Sequence, residues 1–217
     1  MTHSEENYLK VIYHLSLSSP KGINTNAIAS LIDTKASSVT DMLKKLFEKE
    51  LVVYKKYQGV SLTKEGVYEA KMIVRKHRLW EVFLVEKLNF NWDEVHQIAE
   101  ELEHIQSEKL IDSLDKYLGF PDFDPHGDPI PNSKGEIIKV ERQLLSELSL
   151  NQKAICVGVK NTSKEFLQYL DKYKIALGSS FEIIDREEFD LSIKILKDDE
   201  MLNITNKIAT NLFVKKV

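Results

Sequence analysis

The chain of 217 residues contains a single cysteine, Cys156, and therefore cannot form an internal disulfide bond. Cys156 lies in the apolar run 154–159, where we expect a small buried hydrophobic residue rather than a nucleophile. No apolar run approaches the length of a membrane span, and the first residues lack the basic and apolar segments of a signal peptide. These absences predict a cytoplasmic protein with no membrane partner.

An overall excess of basic residues is also missing, because the formal net charge is −4. The charge is nevertheless unevenly distributed along the chain. Residues 1–78 contain 13 Lys and Arg against 8 Asp and Glu, whereas the remaining residues contain 17 against 26. A basic N-terminal part followed by an acidic remainder is typical of a DNA-binding head on a body that does not bind DNA.

The basic N-terminal part has the pattern of a winged helix-turn-helix. Helical spacing of apolar residues predicts helices at about 5–17, 25–31 and 37–49, and residues 51–63 form two β-prone segments around a polar tip that contains Gly59. The third helix carries small polar groups and a lysine on its outer face, which suit base edges and phosphates in a major groove: Ser37, Thr40, Asp41 and Lys44. A winged helix can also serve protein contacts, since fold alone does not decide function.

Polar residues occur in the next helices where a packed bundle should be apolar. His96, Glu100, Glu103 and His104 follow at i, i+4, i+7 and i+8, so they line one stripe of a predicted helix. His77 and Glu81 lie one turn apart on the preceding, largely apolar helix. Three imidazoles and three carboxylates have the ligand chemistry of a divalent metal site. The alternative is a solvated acidic face with hydrogen-bonded structural histidines.

The rest of the chain changes from helices to strands. A further helix is predicted at about 107–118, and with its apolar predecessors it suggests a dimerisation bundle. Four of the five prolines fall in 119–131, which indicates an ordered turn, and His126 within it is expected at the surface. A short helix is predicted near 137–146. Residues from about 150 onward are then predicted to form a small β-barrel, with strands at 154–160, 180–185, 191–196 and 212–216 and a helix at 163–173.

Taken in this order, the residues resemble the family of iron- and manganese-dependent repressors typified by the diphtheria toxin repressor and the manganese transport regulator. The resemblance covers nearly the whole chain and rests on short motifs: Glu6-Asn7-Tyr8-Leu9, Ser37-Ser38-Val39-Thr40, Arg75-Lys76-His77-Arg78-Leu79, Glu103-His104 and Asp124-Pro125-His126-Gly127-Asp128-Pro129-Ile130-Pro131. The C-terminal part resembles the SH3-like domain of the longer members.

The resemblance implies two metal positions in each subunit. A primary, regulatory site would be formed by Asn7, Glu100, Glu103 and His104. An ancillary site would be formed by His77, Glu81, His96 and, from the C-terminal domain, Glu165. Asn7 departs from the family, which has a methionine or an aspartate there, and Lys10 stands where the shorter manganese regulators carry a second carboxylate.

The resemblance also implies the fold, the partners and the mechanism. The expected fold is multidomain and mainly α, with a winged helix-turn-helix DNA-binding domain (1–64), a helical dimerisation and metal-binding domain (65–148) and an SH3-like β-barrel (149–217). The expected function is repression of transcription by a homodimer on a palindromic, double-stranded operator, switched by about two ions of Mn²⁺ or alternatively Fe²⁺. The residues expected to contact DNA are Lys35, Ser37, Ser38, Thr40, Asp41, Lys44, Lys55 and Lys56.

Two other functions remain open at this point. One is a di-metal carboxylate enzyme on a helical bundle, although such sites use a Glu-x-x-His pair from each of two helices and this chain has no second copy. The other is a winged-helix regulator that senses an organic ligand.

Overall fold

The computed structural model describes residues 1–19, 22–55 and 59–217, without the side chain of Lys55. Their packing divides them into two compact units. The first unit contains residues 1–80, 99–120 and 130–137, and the second contains 81–98, 121–129 and 138–217. None of the helices in the described part of the chain combines the length and the apolar character that crossing a membrane requires.

The first unit begins with a winged helix-turn-helix, whose elements are α1 (His3–Ser18), α2 (Thr25–Ile32), α3 (Ala36–Glu48), β1 (Val52–Lys55) and β2 (Gly59–Leu62). Helix α1 starts with a capping box, in which Thr2 and Glu5 each accept a hydrogen bond from the other's backbone N–H. The Asn24 side chain caps α2 by accepting from the Ala27 N–H. The strands pair antiparallel as the expected wing, and residues 56–58 of its tip lie outside the described residues.

One apolar core holds the head together. It contains Leu9 and Ile12 of α1, Val39 and Leu46 of α3, and residues of the wing, all nearly inaccessible to solvent. The same core continues into α4 (Lys64–Leu88) through three buried residues, namely Ala70, Ile73 and Val74. The head and the first turns of α4 therefore share one core.

Three helices follow the head, and each occurs where the sequence predicts one. They are α4, α5 (Val95–Leu102) and α6 (Glu108–Tyr117). Helix α5 is shorter than the polar stripe, because Glu103 and His104 lie in the turn after it. The Glu103 N–H still donates to the Ala99 carbonyl at 2.9 Å, which keeps the spacing of the last helical turn. Exposure falls along the stripe, from 53% for the His96 side chain to 0% for Glu103.

The second unit contains an antiparallel sheet of six strands in the order β3-β8-β4-β5-β6-β7. The strands are β3 (Gln143–Leu144), β4 (Lys153–Val159), β5 (Ser180–Arg186), β6 (Ile193–Lys197), β7 (Glu200–Ile204) and β8 (Leu212–Lys216). Helix α7 (Lys164–Lys172) packs Phe166, Leu167 and Leu170 into the core of this sheet, and the short α8 (Asn206–Ala209) precedes β8. The expected fold class is confirmed.

Several local predictions differ from the structure. The short helix expected near 137–146 is wrong, because this segment contains strand β3 and a single 3₁₀ turn at Leu145–Glu147. Strand β7 and helix α8 were not predicted. Cys156 is buried as expected, and burial raises the pKa of its thiol to about 11.

Candidate metal centres and DNA-binding surface

The outer face of α3 is exposed as a DNA-reading surface requires. Its buried residues are Val39, Leu43 and Leu46, whereas the residues predicted to contact DNA from this helix and its N-cap are all exposed: Lys35, Ser37, Ser38, Thr40, Asp41 and Lys44. The Lys44 ammonium lies 3.3 Å from the Asp41 carboxylate, with both side chains largely in solvent. Such a pair stabilises the protein little and leaves the lysine available to a phosphate. The Lys55 side chain and Lys56 lie outside the described residues.

The first candidate metal centre lies where α1 meets the end of α5. Glu103 is completely buried, and its Oε2 is 2.7 Å from Nδ1 of His77. Both of its oxygens also accept from the ammonium of Lys10, at 2.6 and 2.8 Å, and this ammonium lies 2.6 Å from Oε1 of Glu100. A carboxylate with no access to water is stable only when it is paired. Here the pairing joins the first helix of the head to the segment after α5.

His104 is held by a second buried carboxylate from α1. Its Nδ1 lies 2.6 Å from Oε2 of Glu6, which is 1% exposed, and the other Glu6 oxygen accepts from Nε2 of Gln106 at 2.7 Å. The His3 ring stacks on the His104 ring with centroids 4.3 Å apart. A carboxylate bound to one ring nitrogen fixes the orientation of an imidazole and raises its basicity, as it commonly does behind metal-ligating histidines.

Asn7 offers an unpaired oxygen in the same helix as Glu6 and Lys10. Its Oδ1 is buried and makes no hydrogen bond to any of the residues that the structure describes. A buried acceptor without a partner costs about 1–3 kcal/mol, and a hard cation would satisfy it. The donors of this centre are thus oxygen and imidazole nitrogen, a set that fits a divalent ion such as Mn²⁺ or Fe²⁺.

A second candidate metal centre lies in the second unit. Glu81, Asp124 and His126 are buried, at 2%, 5% and 2% exposure, and each brings a ligand atom to within 4.8 Å of the others'. The expectation that His126 lies at the surface is therefore wrong. Three buried groups of this kind fit a divalent cation, because two carboxylates and one imidazole supply hard and borderline donors to one point.

The proline-rich turn places His126 in this centre. Oδ1 of Asp124 accepts from the backbone N–H groups of His126 and Asp128, at 2.8 and 3.0 Å, which folds the turn around the aspartate. Gly127 has a φ of +83°, and a Cβ there would lie 2.1 Å from the Val157 carbonyl oxygen. Only glycine fits this close approach of the turn to β4, and this approach buries the neighbouring histidine.

Hydrogen bonding assigns the two ring nitrogens of His126 different roles. Nε2 lies 2.9 Å from the carbonyl oxygen of Trp92, which can only accept, so Nε2 carries the proton. Nδ1 then faces Oε2 of Glu81 at 3.5 Å and can bind a cation. Burial by itself lowers the pKa of this imidazole, but the hydrogen bond and charge of Glu81 outweigh it and raise the pKa above its ordinary value.

Two other residues expected at the ancillary position, His96 and Glu165, are less enclosed. His96 is half exposed, and its Nδ1 lies 3.5 Å from Oε1 of Glu81, next to the second centre. Glu165 is exposed on the first turn of α7. The same helix contacts the residues between α4 and α5, where Asp171 accepts from the Trp92 indole and Gln168 donates to Asp93, both at 2.9 Å. These contacts hold the Trp92 backbone that orients His126.

Sequence reasoning missed three residues of these centres, Glu6, Asp124 and His126. Glu6 stands one residue before the expected ligand Asn7, and its i to i+4 spacing from Lys10 places both on one face of α1. Asp124 and His126 were visible only as part of a turn motif. The sequence alone does not distinguish them, because the close approach of Gly127 to β4, which packs this turn, is visible only in the structure.

A winged head with an exposed polar recognition helix, joined to helices that carry buried carboxylates and imidazoles, defines a DNA-binding regulator of the metal-binding kind. The sequence matches three family descriptions in chain order. They are "Iron dependent repressor, N-terminal DNA binding domain" over residues 1–60, "Iron dependent repressor, metal binding and dimerisation domain" over 63–132, and "FeoA domain" over 143–216. The chain belongs to the iron-dependent repressor family, whose members are transcriptional repressors and not enzymes.

Individual relatives agree with this assignment. The HTH-type transcriptional regulator MntR of Oceanobacillus iheyensis is 34% identical over 119 residues, which are 55% of this chain and 80% of that protein. A solved "Manganese-dependent transcriptional repressor complex with manganese" is 32% identical, with a TM-score of 0.87 over 98% of this chain and 100% of the other. A probable metal transport system membrane protein of Chlamydia trachomatis is 46% identical over 86 residues, but this match spans 40% of this chain and only 19% of that protein.

Proposed function

We propose that this protein represses transcription in response to Mn²⁺, by binding an operator as a homodimer whose DNA-reading heads are fixed by the metal. The observation that carries the proposal is the contact between α1 and the segment after α5. In that contact, Lys10 and Glu6 of the head meet the carboxylates and the imidazole expected to hold the ion, which are Glu100, Glu103 and His104. The fourth expected ligand, Asn7, lies on the same helix as Glu6 and Lys10, with its buried oxygen unpaired among the described residues.

The donor set supports manganese as the metal. The first centre offers oxygen and imidazole nitrogen and no thiolate, since the only cysteine of the chain is buried in the other unit. Hard oxygen donors suit Mn²⁺ and Fe²⁺ better than a soft ion such as Cu⁺. The intrinsic order of affinities would still favour copper and zinc, so selectivity must come from geometry and from cellular supply.

The chemistry required of the ion is electrostatic. A divalent cation at the first centre would neutralise Glu100 and Glu103, satisfy the Asn7 oxygen and bind the imidazole that Glu6 orients. It activates DNA binding only if it binds the DNA-competent arrangement more tightly than the looser one. Ligands on both α1 and the α5 segment provide this difference, because both sets bind one ion only when the head is held in place.

We assign the second ion of each subunit to Glu81, Asp124 and His126. Their mutual distances and burial support this set, with the half-exposed His96 beside it. Of the ancillary ligands expected from the sequence, His77 lies in the first unit against Glu103, and Glu165 is exposed on α7. Their participation stays a prediction.

The remaining parts of the proposal concern DNA and assembly. Residues 1–64 would read DNA, 65–148 would dimerise and bind metal, and 149–217 would form the SH3-like domain. Two copies of α3 would read a palindromic operator, with Ser37, Thr40 and Asp41 near bases and lysines on phosphates. The family description of residues 63–132 as a dimerisation domain supports the homodimer. A chromosomal operator would place the protein in the cytoplasm.

The test uses duplexes selected from a random pool by the Mn²⁺-loaded protein. Fluorescence anisotropy then measures their affinity for the full chain in Mn²⁺, in Fe²⁺ without oxygen, and in chelator. We expect tight binding with metal and weak binding in chelator. Glu103→Gln should abolish the dependence on metal, whereas Glu101→Gln, an exposed neighbour on α5, should preserve it.

Equal affinity in metal and in chelator would refute the switch and would favour a regulator that senses an organic ligand. A second measurement tests the DNA surface. Lys44→Ala should reduce the slope of log affinity against log salt by about one unit, as expected for the loss of one phosphate contact. The matched change Lys164→Ala, at an exposed lysine of α7, should leave the slope unchanged.

A further inference from the structure

The ammonium of Lys10 occupies the carboxylates that the proposed function gives to the metal. Nζ lies 2.6 Å from Oε1 of Glu100, and 2.6 and 2.8 Å from the two oxygens of Glu103. The Lys10 side chain is 11% exposed and the Glu103 side chain is 0% exposed. This is therefore an enclosed ion pair rather than a surface contact.

An ammonium and a metal ion cannot use these oxygens together. Lysine has three N–H donors, and the three contacts account for all of them. A small divalent metal ion binds carboxylate oxygens at about 2.0–2.2 Å. Two cations that share the same oxygens would lie only a few ångströms apart around the fully buried Glu103 carboxylate, where their repulsion is screened weakly. Binding of the ion must therefore displace the ammonium.

We propose that Lys10 is a built-in competitor of the metal, which raises the metal concentration at which the protein responds. This inference rests on the proposed function and adds to it the residue that sets the metal concentration needed for the response. In the metal-free protein the ammonium also joins α1 to Glu100 and Glu103, so it partly substitutes for the ion in positioning the head. Lys10 thus weakens metal binding while it supports the metal-free arrangement.

The two effects have opposite signs, and this distinguishes competition from an ordinary structural role. If Lys10 only stabilised the fold, its loss would weaken both metal binding and DNA binding. If it competes, its loss strengthens metal binding and weakens only the DNA binding that occurs without metal. Lys49, which also pairs with a carboxylate of α1, provides a matched control. Lys49 lies 2.7 Å from Glu5, is 46% exposed, and contacts none of the proposed ligands.

The experiment compares Lys10→Met, Lys10→Arg and Lys49→Met in the full chain. Calorimetric titration of Mn²⁺ into the metal-free proteins gives the dissociation constants. We expect Lys10→Met to tighten one site by about tenfold or more, within the range common for coupled sites. Lys49→Met should remain within about twofold of the original protein. In chelator, the affinity of Lys10→Met for the selected duplex should fall.

Lys10→Arg keeps the charge and decides the question if the methionine variant does not fold. A guanidinium binds carboxylates through two parallel hydrogen bonds, so it should hold them more firmly and weaken Mn²⁺ binding by about threefold or more. Unchanged Mn²⁺ affinity in both variants, or weaker binding by Lys10→Met, would overturn the competitor role. A different result would refute the proposed function itself, namely that Mn²⁺ leaves the DNA affinity of the unmodified chain unchanged.

Discussion

Glu103 should be the most costly single charge to remove from the first unit. Glu103→Gln keeps the shape of the side chain but leaves the ammonium of Lys10, whose side chain is 11% exposed, with Glu100 as its remaining carboxylate. Breaking a buried ion pair by removing one partner costs about 3–5 kcal/mol. Because Glu100 still accepts from Lys10, we expect a loss near the lower limit, about 3 kcal/mol.

The matched change is Glu100→Gln. The Glu100 side chain is 37% exposed and shares the same ammonium, so water can replace part of the lost contact. We expect a loss of about 0.5–1 kcal/mol in this variant. The double variant Lys10→Met/Glu103→Gln should recover much of the loss, since removal of both charges leaves neither one buried and unpaired.

Hydrogen exchange of the α1 and α5 amides, measured in chelator by mass spectrometry, reports on this region without the assumption that both units unfold together. A loss of 3 kcal/mol should accelerate exchange about a hundredfold where exchange requires unfolding of the unit. The reasoning is refuted if Glu103→Gln exchanges no faster than Glu100→Gln. It is also refuted if the double variant is less stable than Glu103→Gln alone.

Three further predictions follow from other contacts. Glu6→Gln should weaken Mn²⁺ binding at the first centre by about 10–100-fold in calorimetry, because an amide orients the imidazole of His104 less firmly than a carboxylate does. A change in Mn²⁺ affinity below threefold would mean that Glu6 does not support the site. Lys49 lowers the pKa of Glu5 below 4.5, so their ion pair stabilises the fold above that pH, and this contribution is lost as the pH falls through the lowered pKa. The free energy of unfolding of the original chain should exceed that of Lys49→Met by about 0.5–1 kcal/mol at pH 7, and the difference should vanish in acid. A difference that does not change with pH would contradict this prediction. Gly127→Ala should lower the free energy of unfolding in urea by about 2–3 kcal/mol. The control Gly178→Ala should lower it clearly less, because φ is also positive there but a Cβ meets nothing within 4 Å. Equal losses of stability in the two variants would mean that the close approach at Gly127 is unimportant.

The sequence predicted the elements whose pattern is local. Helices α1 to α3, α6 and α7 and the last strand occur close to their predicted bounds, because apolar spacing and cap residues such as Thr2 and Asn24 act within a few residues. Strand β7 has only one fully buried residue, Ile204, and α8 is a single turn. Neither produces a periodic signal long enough to recognise.

The site was predictable in its residue types and less so in its partners. Glu103 and His104 stood out as polar residues in an apolar context, but the partners of such groups come from distant parts of the chain. Lys10 reaches Glu103 across 93 positions and Glu6 reaches His104 across 98. His126 was misplaced for a related reason. Proline-rich turns are usually solvated, and only tertiary packing, which fixes Gly127 against β4, shows that this one is not.

The core shared by the head and α4 also limits how this protein can be divided or recombined. A fragment that ends at residue 64 would lack Ala70, Ile73 and Val74, which are 0%, 1% and 3% exposed and cover the residues packed beneath them. Such a fragment would expose an apolar surface to water and would tend to aggregate. An exchange of reading heads between related proteins should therefore carry the first three turns of α4, with the junction placed after Val74.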